Sequence, residues 1–590
     1  MHFRATSSIF ALLASAAPVL ADVTPAEVWQ SWTEYYKVSG YTVAEGARQE
    51  TGDSLVLSDV VLTMDGQDSD VSLTIPQITL TGTGDGRVRT TTSDQSTARF
   101  VVKDAEDGDV NVTATLAHPG TEVISSGTAG DLTSETRMPN LTVTLDEVVT
   151  ADETHSDLAT LTVADLGIRE HVVQGDPLKA DFDVTSGRSE LALNVAGKDD
   201  DGADYKVNGN IALNSLKSTG SGTFPANARM DENMAAALRA GMAFTANLQA
   251  GPLTASFDVA GTGEDGAPMT AAVKGDGQGF SADIGLSQAG LNYQVDSDRM
   301  TAEVTSPDMP FPVTYGMDSN SVLLQLPVSA SDEPQPFKFT YSIAGLTLGD
   351  AIWDQFDQAK VLPREPANLD IDVTGNLRVK QDVLDPEVMK AAEAAAEAGT
   401  DDAAPATEGA APAADGTTPD AAAPDAAAPD AAAPDVATPD APAPDAADAT
   451  TPDATAPDAA DATTPDAATP DATETESAEA PEEPYQPVDI AINQFALSGA
   501  GVNVTAAGNL AAAGEGGMET PVGQINARAE GLNGLLDRLV QIGVVQQEQV
   551  GAARMMLAMF TKAGEGPDTL TMDIEFREGG SIFANGQQVK

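Results

Sequence analysis

The side chains of this chain that could carry out acid–base or metal chemistry are its histidines and carboxylates, because cysteine is absent. Three histidines lie beyond residue 21, His118, His155 and His171, and they are too far apart in sequence to form a metal-ligand motif. The sequence also lacks a Gly-x-Ser-x-Gly elbow, a Walker loop and a His-Glu-x-x-His motif. We therefore interpret the histidines as surface or sheet residues. We predict that the protein is not an enzyme and has no catalytic residues, no metal ligands and no cofactors.

One stretch has the spacing of a dinucleotide-binding loop. Residues 261–266 read Gly-Thr-Gly-Glu-Asp-Gly, and such a loop needs a helix at its third glycine to hold the pyrophosphate. Here Ala267-Pro268 leads into another alternating segment, and Glu264 and Asp265 would repel phosphate. We interpret the stretch as a hairpin turn.

Clustered carboxylates leave two further hypotheses open. Calcium would find oxygen ligands in two aspartate groups: Asp65, Asp68 and Asp70, and Asp199, Asp200, Asp201 and Asp204. Neither group has EF-hand spacing, and Gly-Asp turns account for both without a metal. A carboxylate pair for glycoside hydrolysis is also open, since its separation is spatial, but aromatic residues, which usually line such clefts, make up only 5% of the chain.

The elements that would position a site begin with a well-marked helix. Residues 24–27 read Thr-Pro-Ala-Glu, which supplies a capping threonine, a proline at the first helical position and a glutamate at the third. An aromatic stripe follows near helical spacing: Trp29, Trp32, Tyr35 and Tyr36. We expect this helix to close the end of a β core. The alternative is that its aromatic residues form a docking surface for a partner or an apolar ligand.

Short alternating segments dominate from about residue 54 to residue 379. In one of them, Val110, Val112, Ala114 and Leu116 alternate with polar residues, which is typical of antiparallel strands with one buried and one wet face. Helical patterns are few, at 231–243 and 348–360. The sequence therefore predicts a mainly β (α+β) fold, a long twisted antiparallel sheet or half-barrel with a few capping helices.

Residues 391–486 form a segment rich in Ala, Pro, Asp and Thr that interrupts this fold. Between residues 391 and 484 there are 23 acidic side chains but no Lys, Arg, aromatic residue, Ile, Leu or Met. Such a segment buries too little apolar surface to offset backbone ordering, which costs roughly 1–2 kcal/mol per residue. We predict a disordered acidic linker between a body at 22–390 and a C-terminal module at 487–590.

The C-terminal module combines a strand, two helices and a hairpin. Apolar residues recur on one helical face from Leu532 to Ile542 and again from Val550 to Phe560. They then alternate from Leu570 onward, as in a strand. Because an isolated hairpin has an exposed edge, we expect the module to pack onto the sheet of the body.

The first 21 residues have the pattern of a secretory signal peptide. Arg4 precedes a short apolar run from Ile9 to Leu20, and small residues allow cleavage after Ala21. The run is too short to span a bilayer, so we predict an exported, periplasmic protein with no transmembrane segment after cleavage. Its formal net charge of −61 would repel phosphate backbones, which argues against binding of nucleic acid.

Two blocks of sequence resemble a known family. The first reads Trp-Asp-Gln-Phe-Asp at 353–357 and Leu-Pro-Arg-Glu-Pro at 362–366. The second reads Leu-Leu-Asp-Arg-Leu at 535–539, Ala-Arg-Met-Met-Leu at 553–557, Gly-Pro-Asp-Thr-Leu at 566–570 and Phe-Ala-Asn-Gly-Gln at 583–587. Both are similar to domain of unknown function family 2125 (DUF2125), whose members are exported alphaproteobacterial proteins. The resemblance implies a periplasmic location, and it carries no known reaction, ligand or catalytic residue.

These observations favour a non-enzymatic periplasmic β-rich protein that binds or carries a lipid or another apolar ligand along a curved sheet. The strand pattern is similar to that of AsmA-like envelope proteins, in which long curved sheets present an apolar trough to acyl chains. The alternative function is that of a structural or assembly factor. Such a factor would bind another envelope protein through its sheet or through the helix that carries Trp29 and Trp32.

Overall fold

The computed structural model describes residues 22–38, 40–66, 69–103, 108–150, 153–198, 202–226, 233–262, 267–307, 309–392, 483–513 and 518–590. The predicted signal peptide and residues 393–482 of the predicted linker lie outside these stretches. Within them the predicted fold class is confirmed, because one large antiparallel sheet accounts for most residues and the helices are few and short.

The strands and helices have the following bounds. The strands before the midpoint of the body are β1 (Thr42–Ala44), β2 (Ala47–Thr51), β3 (Ser54–Asp65), β4 (Ser69–Gly82), β5 (Val88–Thr92), β6 (Gln95–Val102), β7 (Val110–Ala117), β8 (Glu122–Thr128), β9 (Asp131–Val149) and β10 (Thr154–Val173). They are followed by β11 (Leu178–Ser186), β12 (Ser189–Lys198), β13 (Asp204–Leu213), β14 (Leu216–Phe224), β15 (Ala243–Ala250), β16 (Leu253–Thr262), β17 (Pro268–Gly277), β18 (Phe280–Ser287), β19 (Gly290–Ser297), β20 (Met300–Thr305), β21 (Val313–Met317), β22 (Ser319–Leu326), β23 (Ser331–Leu348) and β24 (Ala367–Val379). The strands after the linker are β25 (Tyr485–Gly499), β26 (Val502–Ala512), β27 (Pro521–Glu530), β28 (Lys562–Ala563), β29 (Thr569–Arg577), β30 (Ser581–Ala584) and β31 (Gln587–Gln588). The helices whose two ends both lie in the described residues are α1 (Pro25–Val38), α2 (Met234–Arg239), α3 (Asp350–Phe356), α4 (Leu532–Gln541) and α5 (Gln547–Phe560).

Long strands divide the sheet into two rows of shorter strands. Residues 167–173 of β10 pair with β11, and residues 159–163 of the same strand pair with β12. One row continues from β11 through β14, β15, β18, β19 and β22, and the other from β12 through β13, β16, β17, β20 and β21. Both rows end on β23, which has 18 residues. After β23 the sheet continues as a single series, in which β24 pairs with β25 across the linker.

The register of the ladder lines up the apolar residues of successive strands. In the first row, Phe182 lies opposite Gly220, and the same line continues through Ala246, Ile284, Tyr293, Leu324, Phe339, Val373, Ile492, Gly508, Ile525 and Ile574. In the second row, an equivalent line runs through Leu193, Gly209, Phe257, Val273 and Val304. Because side chains alternate with a period of two, this register gives each row one apolar face.

Single irregular residues keep that face continuous along the longer strands. In β3, Asp59 has a φ of 50° and lies between Leu57 and Val60, which are both fully buried although strict alternation would put them on opposite faces. In β25, the register shifts between Ile492 and Phe495. Such a bulge restores the apolar face that one extra residue would otherwise invert.

The helices start and end where local sequence signals require. At the start of α1 the predicted capping box forms, since the Thr24 amide donates to Glu27 Oε2 at 2.9 Å and the Glu27 amide donates to Thr24 Oγ1 at 3.3 Å. Helices α2 and α3 are shorter than the segments predicted at 231–243 and 348–360. Asn233 caps α2, and Gly241, with a φ of 98°, stops it. None of the described helices is both long and apolar enough to traverse a lipid bilayer.

Fully buried side chains are concentrated where a helix covers the sheet. The largest cluster lies under α1 and includes Val28, Trp29, Leu57 and Leu80, and a smaller one lies under α2. Strands β12, β16, β19, β20 and β22, each described in full, contain no fully buried residue. Val273, in the middle of an apolar line, is 38% exposed. The apolar face is therefore only half covered between the helices.

This distribution predicts unequal costs for truncations of apolar side chains. Leu80→Ala should lower the free energy of unfolding by about 2–5 kcal/mol, because it leaves a cavity in the cluster under α1. Val273→Ala should cost less than about 1 kcal/mol, because that side chain is already partly in water. Urea titrations followed by circular dichroism measure both values. Equal losses would contradict the contrast between a packed end and a half-covered middle.

Candidate functional site

A large apolar hollow lies between the C-terminal helices and the sheet, and we call it the helix cleft. Its volume is about 800 Å³, within the range of about 300–1,000 Å³ that ligand pockets occupy. Helices α4 and α5 form its roof, with β26, β27 and β29 as its floor. Its main apolar lining residues are Val504, Ala527, Ala529, Leu532, Leu535, Leu536, Ala553, Met556, Leu557, Phe560, Leu570 and Met572.

The floor of the helix cleft is the end of the apolar face of the sheet. Val504 lies opposite Ala529, which lies opposite Leu570. The same line extends backward through Leu497 and Leu369 into the body. The cleft is therefore continuous with the half-covered face that the strands of the body present.

The roof stands off the floor instead of packing closely onto it. Helix α4 contains no fully buried residue, and Val550 is the one fully buried residue of α5. Met556 lines the cleft and is nevertheless 62% exposed, so the cleft opens to solvent along α5. Methionine side chains are unbranched and adapt to ligands of varied shape.

A partly buried network of polar groups holds α4 in place. The Asp568 carboxylate accepts hydrogen bonds from the backbone amides of Asn533 at 3.1 Å and Gly534 at 2.7 Å, and from the Asn533 side chain at 2.8 Å. These amides belong to the first turn of α4, so Asp568 caps a helix that precedes it in sequence. Burial works to raise the pKa of Asp568, but these hydrogen bonds and the nearby Arg554 outweigh it and lower the pKa.

Two further residues of the second sequence block tie α5 into the same frame. The Arg554 guanidinium donates to the Asn533 carbonyl at 3.2 Å and to Asp537 at 2.7 Å, which links α5 to α4. The Asn585 side-chain amide donates to the Phe560 carbonyl at 2.8 Å, at the C-terminal end of α5. The polar residues of this block therefore support the cleft and do not line it.

Residues in and next to the first sequence block form a compact group of ion pairs and hydrogen bonds that contacts the second block. Arg364 donates to Asp350 at 2.8 Å and to Asp354 at 2.5 Å, and its guanidinium lies 5.9 Å from the centre of the Trp353 ring. The hydrogen bond to Asp354 raises the pKa of Arg364 the most, and the one to Asp350 raises it further. The neighbouring Glu365 accepts a hydrogen bond of 2.7 Å from the Gly501 amide.

Gly501 is the point at which the two blocks touch. Its φ is 77°, and a side chain there would collide with the Arg538 guanidinium and Pro363. Arg538 in turn donates to the Ala500 carbonyl at 3.4 Å. The turn between β25 and β26 is thereby clamped between the two motif blocks.

A second hollow, the α1 cavity, lies beneath the N-terminal helix. Its volume is about 320 Å³. The four aromatic residues singled out in the sequence, Trp29, Trp32, Tyr35 and Tyr36, all line it. Trp29 is only 3% exposed because its ring packs into the core. The structure thus places these rings toward the sheet, where they both cover the core and wall the cavity.

Polar groups of the sheet converge on the α1 cavity. The His118 ring nitrogen Nε2 lies 2.9 Å from Ser96 Oγ, and Nδ1 lies 3.4 Å from the hydroxyls of Thr92 and Thr121. The Thr90 hydroxyl is buried without a hydrogen-bond partner, although buried hydroxyls normally have one. Sequence reasoning missed this group, since it interpreted His118 as a surface or sheet histidine, whereas His118 is buried in the turn after β7.

Glu170 contributes a carboxylate to the same cavity. Burial raises the pKa of Glu170, while a hydrogen bond from the Tyr35 hydroxyl acts in the opposite direction. Burial and the nearby Glu170 raise the pKa of Tyr36 to about 12. Within the described stretches no carboxylate is paired with His118, so the Ser96–His118 pair lacks the acidic partner that orients a catalytic histidine.

The remaining predicted candidates lie apart from both hollows. His155 and His171 are on β10, where His155 pairs with Glu153 at 3.1 Å and His171 with Asp131 at 2.8 Å. Of the two aspartate groups proposed for calcium, Asp68 and residues 199–201 lie outside the described residues. Asp70 pairs with Lys103 at 2.7 Å, and Asp204 with Lys198 at 2.9 Å. No set of three or more His, Asp or Glu side chains converges as metal ligands would in the described part of the chain.

Comparison with known proteins supports one family. The family described as "Uncharacterized protein conserved in bacteria (DUF2125)" matches residues 333–583, which confirms the resemblance inferred from the two sequence blocks. The matched range includes α3, the linker and the whole helix cleft. No curated protein and no solved structure matches the chain.

The cap on α4 gives a stability prediction. Asp568→Ala should lower the free energy of unfolding by about 1–2 kcal/mol at pH 7, because the first-turn amides of α4 lose their acceptor. Since the folded-state pKa is lowered, this contribution is present above the unfolded value of about 4 and is lost as the pH falls through the folded value. Urea titrations at pH 3 and pH 7 measure it, with Glu578→Ala in an exposed turn as the control. A loss that is the same at both pH values would contradict the cap.

The raised pKa of Glu170 predicts a pH dependence of stability whose sign is opposite to that expected for Asp568. Its raised folded-state pKa means that the proton-linked stability is fully present below about pH 4 and is lost as the pH rises through the folded value. Glu170→Gln removes this loss, so the stability of the variant relative to the wild type should rise between pH 4 and pH 7. Urea titrations of the variant and the wild type at pH 4 and pH 7 measure this change in relative stability. A relative stability that falls over this interval would show that the carboxylate is not disfavoured by burial.

Proposed function

We propose that this chain, which belongs to the DUF2125 family through residues 333–583, is a non-enzymatic protein that binds the acyl chain of a lipid in its helix cleft and along the adjoining sheet. The observation that carries the proposal is the helix cleft itself. It is a hollow of about 800 Å³ with almost entirely apolar walls, and it stays open beneath two helices that the polar frame holds in place.

The continuity of the apolar surface favours an extended ligand over a compact one. The line Leu369, Leu497, Val504, Ala529 and Leu570 leads from the body into the floor of the cleft. Leu497, just before the cleft, is 42% exposed. An acyl chain laid along this line would remove apolar surface from water at about 25 cal/mol per Å².

The chemistry of the cleft supports binding without catalysis. Arg528 is the one charged side chain among the described residues that line it, and the remaining polar members are Gln549, Thr561 and Thr571. None of these is a general base near neutral pH. The Arg528 guanidinium donates a hydrogen bond of 2.6 Å to Glu530.

We further propose that the protein is exported to the periplasm, as the signal-like residues 1–21 indicate. There it would handle lipid of the cell envelope. N-terminal sequencing of the protein from the periplasmic fraction should give a first residue of Asp22. Recovery of the protein in the cytoplasm with Met1 intact would contradict this location.

Lipid binding is tested with variants that fill the cleft. Native mass spectrometry of the purified chain should detect copurified lipid, and a fluorescent fatty acid should bind it. Ala553→Trp places a large ring inside the cleft and should weaken fatty-acid binding by at least about tenfold. Ala558→Trp, on the same helix but outside the cleft lining, is the matched control and should leave binding unchanged.

Two results would count against the proposal. One is the absence of lipid from the purified chain together with no fatty-acid binding. The other is an equal effect of Ala553→Trp and Ala558→Trp, which would place any bound lipid elsewhere.

A second function, assembly with another envelope protein, is favoured by one surface. Met555 and Met559 of α5 are 72% and 62% exposed, and Val544, between α4 and α5, is 57% exposed. Exposed apolar side chains grouped in this way often mark a protein interface. Crosslinking in cells from position 555 should then give one dominant protein adduct, whereas a lipid carrier should give none.

A further inference from the structure

We propose that the α1 cavity is a second binding site, specific for a small ammonium ligand with an apolar body. It lies in the N-terminal part of the body, outside the range that matches the family. It shares no lining residue with the helix cleft. The inference therefore stands whether or not the helix cleft binds lipid.

Aromatic rings supply the first requirement of an ammonium site. Trp29, Trp32, Tyr35 and Tyr36 all line the cavity, and the two indoles are edge to face with 6.5 Å between ring centres. An ammonium group within about 6 Å of a ring face is attracted by the electrons of that face, most strongly by tryptophan. Four rings from one helix line one small volume.

A carboxylate beside these rings supplies the second requirement. Glu170 lies opposite Ser134 in the β9–β10 ladder, and Ser134 Oγ accepts a hydrogen bond of 3.3 Å from the Trp32 indole. Tyr35 donates a hydrogen bond to the same Glu170. The carboxylate is thus fixed among Trp32, Tyr35 and Tyr36, where its desolvation is unfavourable.

No cation among the described residues of the cavity wall balances that negative charge. None of the described residues that line the cavity is Lys or Arg, and the groups that shift the pKa of Glu170 include no cation. A buried carboxylate is stabilised when a cation enters beside it. An anionic ligand would be repelled by the Glu170 carboxylate, so the cavity selects against carboxylates and phosphates.

Apolar side chains make up much of the remaining wall of the cavity. They include Leu62, Leu73 and Ile78. A ligand with an ammonium head and a short apolar body would match this lining.

The size of the cavity limits the ligand to a small molecule. At about 320 Å³ it is near the lower end of the range for ligand pockets. A phenylethyl or short alkyl body fits this volume, whereas the full acyl chain proposed for the helix cleft does not.

Three probes of one shape and different charge test the site. Isothermal titration calorimetry at pH 7 should show that 2-phenylethylamine binds the purified chain at least about tenfold more tightly than 2-phenylethanol. Phenylacetate should not bind measurably. Binding of the amine should also change the tryptophan fluorescence, because Trp29 and Trp32 are two of the three tryptophans of the chain.

Two variants separate the ligand site from a folding effect. Glu170→Gln keeps a hydrogen-bond acceptor for Tyr35 and should weaken amine binding by about tenfold while it leaves alcohol binding within about twofold. Tyr35→Phe keeps the ring and frees the carboxylate, so amine binding should be unchanged or tighter. Glu135→Gln, which removes the same charge from an exposed position of β9, is the control and should have no effect.

Several results would overturn the inference. They are no binding of any probe, equal binding of amine and alcohol, tighter binding of phenylacetate, and equal losses from Glu170→Gln and Glu135→Gln. Any of the first three would mean that the Glu170 carboxylate does not select a cation. Equal losses from the two variants would mean that Glu170 acts only through the overall negative charge of the chain.

Discussion

The fold depends on the cross-strand register that aligns the apolar residues of successive antiparallel strands. Without that alignment a chain with so few fully buried side chains would have no continuous surface to pack or to present. The bulge after Ile492 and the left-handed Asp59 maintain it where simple alternation would fail. Gly209 shows how tight the alignment is, because a methyl group there would lie 2.8 Å from the Phe257 ring opposite.

The helices determine whether each part of this surface is packed into a core or left open. Under α1 the sheet is packed into a core, and the aromatic rings leave only a small cavity with polar groups around it. Under α4 and α5 the sheet is left open, because Asp568, Arg554 and Asn585 bind the helices through their backbone and their ends. The polar residues of the second sequence block therefore build a frame, and the apolar residues inside it remain available for a ligand.

Local sequence patterns predicted the strands and helices of this fold better than the contacts between them. Alternation from Val110 to Leu116 and the capping signal at Thr24 are local, so strand β7 and helix α1 were recognisable from neighbouring residues. The fork of β10 is set by two non-local pairings that no local pattern encodes. The contact of Ser96 with His118 and the capping of α4 by Asp568 likewise join residues that are 22 and 34–35 positions apart. Helix length was overestimated at 231–243 because Gly241 stops α2 early.

The central claim is that the aligned face of the sheet is open and meets lipid. Site-specific photo-crosslinking in cells tests it most directly, with a benzophenone amino acid placed at consecutive positions of β19 and β22. If the account is right, lipid adducts form from Tyr293 and Leu324, which lie on the apolar line, and do not form from their neighbours Gln294 and Gln325. Adducts of equal yield at all four positions, or no lipid adducts at any of them, would contradict it.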